Sequence, residues 1–303
     1  MPNDEDLDGF AVKSYRYLRL AIVVVVLALM ASVVIEVVKA DCWQESISAY
    51  YYTPVHAVFV GALVALGVCM IAIKGGTDVE DMLLNVAGVL APIVAFVPTS
   101  QPSDGCEANA FVGGDPQALI DNNVLALAIG GFLAIVVGYL VAAFFGKASI
   151  KNVDASSIVG LLLGAALLAA GLIWYFGFRE SFLDRAHGWA AGVMFVLIGM
   201  VIVINARSSR RVHREDNARR YYWIAYAALA AIMVLSALGV VIAKWVHSEW
   251  RHQILVLEIL ELTPFAVFWS LQTQEFWKGG VPTGNERASR TASLTTGGDP
   301  LHH

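Results

Sequence analysis

The chain has 303 residues, 58% of them hydrophobic and only 15% charged, with a formal net charge of -5. Soluble domains average about 45–50% apolar and about 25% charged residues, so the composition argues against a water-soluble enzyme. Six arginines cluster at 206–220, but so short a loop argues against a nucleic-acid partner.

The acidic opening Met1–Gly9 is expected to lack order. A basic lip at the inner headgroups follows it, Lys13-Ser14-Tyr15-Arg16, and residues 1–17 together form a cytoplasmic segment. The first apolar run, Leu18–Val38, suits a hydrocarbon layer roughly 30 Å thick, which about 20 helical residues cross. It exceeds a signal-peptide core, and Val38-Lys39-Ala40 is a poor cleavage site, so it reads as a retained signal-anchor. Seven further runs follow: Val55–Ile73, Met82–Val97, Asn123–Phe145, Ser156–Phe178, His187–Asn205, Tyr222–Ala243 and Ile254–Trp277. They lack the alternation of barrel strands, and lipid leaves helices as the other solution. The expected fold is all-α: a polytopic bundle of eight transmembrane helices over residues 18–277, with a disordered cytoplasmic tail at 278–303. Pro92 and Pro264 fall inside spans, and Gly160-x-x-x-Gly164 and Gly188-x-x-x-Gly192 are candidate close-packing motifs.

Charge sets the orientation. With the N-terminus inside, Lys39, Arg179, Arg185, Lys244 and Arg251 lie outside, and the other fifteen of the 20 bases lie inside. That partition follows the positive-inside rule and predicts an N-in, C-in protein of a bacterial plasma membrane. Membrane lipid is the expected partner, and the arginine-rich inner loop at 206–220 is read as touching anionic headgroups.

The outer segment at 98–122, rich in Pro and Gly, is expected to form a looped cap. Cys42 and Cys106 both fall outside, where an oxidising compartment permits a disulfide between the first two outer loops. Cys69, inside the second span, reads as a small apolar packing residue.

Two constellations could carry chemistry. Glu258 and Glu261 sit three apart in the eighth span, with Arg251 two turns earlier. Carboxylates at that depth cost roughly 2.5–3.5 kcal/mol each and call for a structural partner (Arg251, or serine and tyrosine hydroxyls), a proton relay or a bound cation. The second set collects at outer helix ends: Ser46, Ser48, Tyr52 and His56, then Asp184 and His187, then His252. Histidines with a carboxylate are the donor set of a zinc site, but the chain has no HxxxH pair. Asp184, three before His187, is expected to cap a helix start and orient the imidazole. Tyr50, Tyr51 and Tyr52 read as an interfacial aromatic belt.

The stretch Cys42-Trp43-Gln44-Glu45-Ser46-Ile47-Ser48-Ala49-Tyr50-Tyr51-Tyr52-Thr53-Pro54 resembles the signature of multi-pass membrane proteins common in actinobacteria. The His187-Gly188-Trp189-Ala190-Ala191-Gly192 opening is similar to one in DRAM-like families. Neither resemblance implies a settled activity. A fainter similarity, through Ser48, Asp184, His187 and His252, is to the alkaline ceramidase and adiponectin receptor superfamily. It implies a seven-helix zinc hydrolase, from which this chain departs in helix number and in lacking HxxxH.

Three functions stay open at this point. The first is binding or sensing of a lipid or small solute, or envelope support. The second is a membrane-embedded lipid hydrolase with Asp184, His187 and His252 around zinc or an activated water. The third is a cation- or proton-coupled transporter using Glu258 and Glu261.

Overall fold

Apolar runs of this length satisfy their backbone without water by forming helices, and the computed structural model turns all eight into helices. It describes residues 4–99, 106, 116–145, 155–212, 220–246 and 250–277. In chain order the helices are α1 (Asp4–Ala40), α2 (His56–Ala72), α3 (Asp78–Phe96), α4 (Pro116–Phe145), α5 (Ala155–Gly177), α6 (Arg179–Val212), α7 (Arg220–Val246) and α8 (Gln253–Glu275). A 3-10 turn at Ser48–Tyr52 separates α1 from α2. No strand occurs among the described residues. Six helices are long and apolar enough to cross a membrane, while His56–Ala72 and Leu162–Gly177 are shorter apolar helices. Large apolar side chains such as Leu27, Phe132, Val137, Leu235 and Val241 point outward. A surface this apolar suits lipid, since water-soluble monomers rarely expose large contiguous apolar patches.

Three boundaries differ from the sequence reading. The acidic opening is helical from Asp4 onward, because α1 simply continues toward the N-terminus. Pro116 begins α4 instead of belonging to the cap; proline suits a first helical position, where its missing N–H would have no partner. The helix α6 begins at Arg179, with only Phe178 between it and the end of α5, so Asp184 and His187 lie inside it and Asp184 is not its cap. The rest of the expected cap, at 100–105 and 107–115, lies outside the described residues, as does the tail from 278.

Neighbour relations close a ring. Going round it, α1 packs on α2, α2 on α3, α3 on α6, α6 on α7, α7 on α8, and α8 back on α1. The α4–α5 hairpin packs outside, against α3 and α6. Only 6% of the apolar window of α4 is buried, against 50% for α3. The ring interior is filled by Ile22, Leu29, Met70, Leu84, Phe265, Phe268 and Trp269 among others. The helices α2 and α3 approach each other closely, so that a Cβ on Gly67 would lie 2.6 Å from the Gly88 carbonyl oxygen. The expected close-packing glycines behave otherwise: among the described residues nothing lies within 4 Å of a Cβ added at Gly164, Gly188 or Gly192.

At the end of α1 the chain turns through Asp41, whose φ of 48° is left-handed. That conformation commonly terminates helices, and aspartate tolerates it better than most residues. The next residue, Cys42, is joined to Cys106 by a disulfide with Cα atoms 5.7 Å apart. The bridge spans a sequence separation of 64, so reduction is expected to cost about 2–4 kcal/mol through the unfolded state. Thermal unfolding of the wild type with and without reductant, beside Cys42→Ser, checks this; equal midpoints would show that the bridge bears no load.

Candidate functional site

The loop after Cys42 folds back into the ring and does not lie along an interface. Tyr50, Tyr51 and Tyr52 are all buried, so the expected aromatic belt is instead a plug over the ring. Ser46 shapes it: its Oγ accepts from the Ala49 N–H at 3.0 Å and lies 3.0 Å from the Ser48 Oγ. The Tyr52 hydroxyl donates to the Thr99 carbonyl at 2.7 Å, anchoring the plug to the chain after α3. The Gln44 N–H donates to the Tyr50 hydroxyl at 3.2 Å.

Burial raises all three phenols, pushing Tyr52 up to about 12, with Tyr51 adding to the shift. Because the folded state favours the protonated phenol, this stability is complete below the ordinary value of 10.0. It is lost as pH rises from there toward about 12. An alkaline titration followed by phenolate absorbance and thermal midpoint should show ionisation and loss of fold together. Ionisation of Tyr52 near 10 with the fold intact would contradict the burial argument.

Glu258 reaches the plug from the second turn of α8. Its carboxylate accepts from the Ile47 N–H and, at 3.2 Å, from the Ser48 hydroxyl. Both of these donors are neutral. Arg251 is engaged elsewhere, with its Nε 3.2 Å from the Glu45 carboxylate. Glu261, one turn below, accepts from the Ser236 hydroxyl of α7 at 2.9 Å. The two glutamates therefore serve different helix contacts and do not form a pair.

The histidines share one role. The His187 Nδ1 lies 2.8 Å from the Val97 carbonyl oxygen, His56 Nδ1 2.9 Å from that of Tyr51, and His252 Nδ1 3.1 Å from that of Gln44. A carbonyl only accepts, so each ring donates from Nδ1. His56 and His252 thus tie helix starts to loop backbone, and His187, inside α6, ties that helix to the end of α3. Asp184 stays at the surface beside Arg185, its side chain 67% exposed. The expected trio of Asp184, His187 and His252 does not assemble around one point. Among the described residues no group of three His, Cys, Asp or Glu stands close enough to hold a metal ion.

What does assemble is a cavity on the ring axis. It measures about 40 Å³ and is lined by Leu29, Phe59, Leu63, Met70, Met194 and Phe265 among others. Its polar contributors are Ser48, His187 and Glu258. That volume holds a few water molecules at roughly 10–15 Å³ each. The lining methionines are unbranched and adapt to an occupant more readily than branched side chains would. The sequence reading selected Ser48, His187 and Glu258; Ser46 and Tyr52 support the plug, and His56, His252 and Glu261 hold helices and loops.

A second polar centre at the opposite end of the ring escaped the sequence reading. The Glu80 carboxylate accepts from the Asn205 amide at 2.8 Å and the Gly76 N–H at 3.0 Å. The Gln272 amide donates to the Asn205 oxygen at 3.1 Å. Beside them Glu275 accepts from Ser209 at 2.9 Å and Tyr226 at 2.7 Å. Arg19 is buried in the same region, within electrostatic range of Glu80, Glu275 and Tyr226. Asn205, Gln272 and Thr273, single polar residues on mainly apolar helices, were the available signal. Comparison of the chain with family models, curated proteins and solved structures finds no match.

Proposed function

We propose that this chain is an eight-span membrane protein, with both termini on the cytoplasmic side, that binds a small and mainly apolar solute or a lipid tail inside its helix ring. One observation carries the reading. An apolar cavity on the ring axis has a carboxylate, a hydroxyl and an imidazole at its plugged end. Binding sites in helix bundles combine such an apolar wall with a few placed polar groups. A larger occupant than water requires Phe59, Met70 or Met194 to move aside. The fifteen-to-five partition of bases supports the orientation.

The test is native mass spectrometry of the protein extracted in mild detergent, beside an Ala191→Phe variant that fills the cavity. A retained lipid or small molecule should be present in the wild type and absent from the variant. Equal retention in both proteins would remove the cavity from binding.

A second reading, proton-coupled movement of the occupant, is favoured by Glu258 facing the cavity with neutral donors. Such a carboxylate in apolar surroundings has a proton or a bound cation as its natural charge partner. Proteoliposomes carrying Glu258→Gln should then show substrate flux that no longer responds to a pH gradient. A wild-type pH response in that variant would exclude Glu258 from coupling.

A further inference from the structure

We infer that Arg16 and Arg19, at the ring end bearing the second polar centre, form a binding site for a phosphate-class oxyanion. Three residues apart on α1, they share one face. Arg19 is only 1% exposed, yet among the described residues its Nε and Nη2 have no hydrogen-bond partner, and the buried Nε of Arg16 has none either. Buried guanidinium donors without acceptors are strongly disfavoured.

Neighbouring groups hold these side chains without satisfying their edges. The Trp277 ring lies 4.8 Å from the Arg16 guanidinium, and the rings of Tyr15 and Phe276 lie 5.7 Å from that of Arg19. Such rings attract the cation but accept none of these in-plane N–H bonds. The remaining Arg16 contact is to the Trp277 carbonyl, made through Nη2. Glu80 and Glu275 offset the buried charge of Arg19, but their oxygens accept from Gly76, Asn205, Ser209 and Tyr226. The donors left over form an edge, and a guanidinium edge fits two oxygens of a phosphate.

The surroundings favour an anion arriving from headgroup depth. Lys13 and Lys74 are exposed at the same end, and the Tyr15 hydroxyl donates to the Lys74 carbonyl at 3.3 Å. An arriving phosphate passes Phe276 and Trp277, where α8 ends; Trp277 is 49% exposed. A membrane phospholipid and free phosphate both present this oxyanion, and the chemistry at Arg16 and Arg19 is the same for either. The inference rests on the membrane reading but not on the central cavity.

The experiment is thermal unfolding of the full chain in detergent at fixed ionic strength. Phosphatidylglycerol, phosphatidylethanolamine or inorganic phosphate is added to wild type, R16Q, R19Q, R19K and the cavity variant Ala191→Phe. A saturable rise in midpoint is expected for the wild type and for Ala191→Phe. It should need at least about tenfold more ligand in R16Q and R19K, the loss of about one charge-assisted contact, and be absent in R19Q. A rise with phospholipid alone identifies a headgroup site, and an equal rise with inorganic phosphate identifies a site for the free anion. No rise in the wild type, or unaltered rises in R16Q and R19K, would overturn the proposal even if R19Q fails to fold.

Discussion

Gly67→Ala is expected to destabilise the ring although it adds a single methyl group to a helix. The new carbon would lie 2.6 Å from the Gly88 carbonyl oxygen and 3.1 Å from Pro92 Cδ. The first is backbone and has no rotamer to escape into, so α2 and α3 must separate. Overpacking of this kind costs about 1–3 kcal/mol, whereas alanine returns up to about 1 kcal/mol of helix propensity. The clash wins, and Gly67→Val should lower the thermal midpoint further. Gly192→Ala is the matched control, since among the described residues nothing lies within 4 Å of its added carbon. A Gly67→Ala protein as stable as the Gly192→Ala protein would show that the α2–α3 approach is looser than described.

Glu258→Leu should cost more than Glu258→Gln, and the difference separates the two jobs of this residue. Leucine leaves the Ile47 N–H and the Ser48 hydroxyl without the carboxylate oxygens that now accept from them. Each stranded donor costs about 1–3 kcal/mol in a buried setting. Glutamine keeps one acceptor oxygen, and its amide can donate to the Ser48 oxygen, so most of the fold should survive. Any retained occupant that needs a carboxylate would still be lost. Thermal midpoints and native mass spectra of both variants check this. Equal stability of the two would mean that these hydrogen bonds contribute little to holding the plug.

The helices were legible because lipid imposes a length and a polarity on every crossing segment, and those two quantities can be counted along a chain. Glu258 was legible for the same reason, as an acid where acids are expensive. Its partner was legible by type but not by position. Arg251 lies on the same stripe of α8 and was one candidate, a serine hydroxyl the other; the loop after α1 brings Glu45 to Arg251 and Ser48 to Glu258. The Asp184–His187 motif misled because α6 starts two turns before His187, at Arg179. Glu80 was overlooked because it sits in the first turn of α3 beside Asp78 and Asp81, where acids are ordinary helix-start residues. Only the packing of α6 and α8 over that turn makes it a buried carboxylate. Arg19 likewise counted as one more inner base until α8 covered it. In each case the missing information was which helix lies next to which, and that does not reside in any local stretch of chain.

The closure of the ring through α1 and α8 has a consequence for biogenesis. The helix α1 leaves the ribosome well before α8, so it meets one of its two ring neighbours only after α8 has been synthesised. Until then the guanidinium of Arg19 and the facing side of α7 stay open within the bilayer. A nascent chain stopped before Gln253 would present that open seam to proteases, so the arrival of α8 becomes the step that seals the assembly.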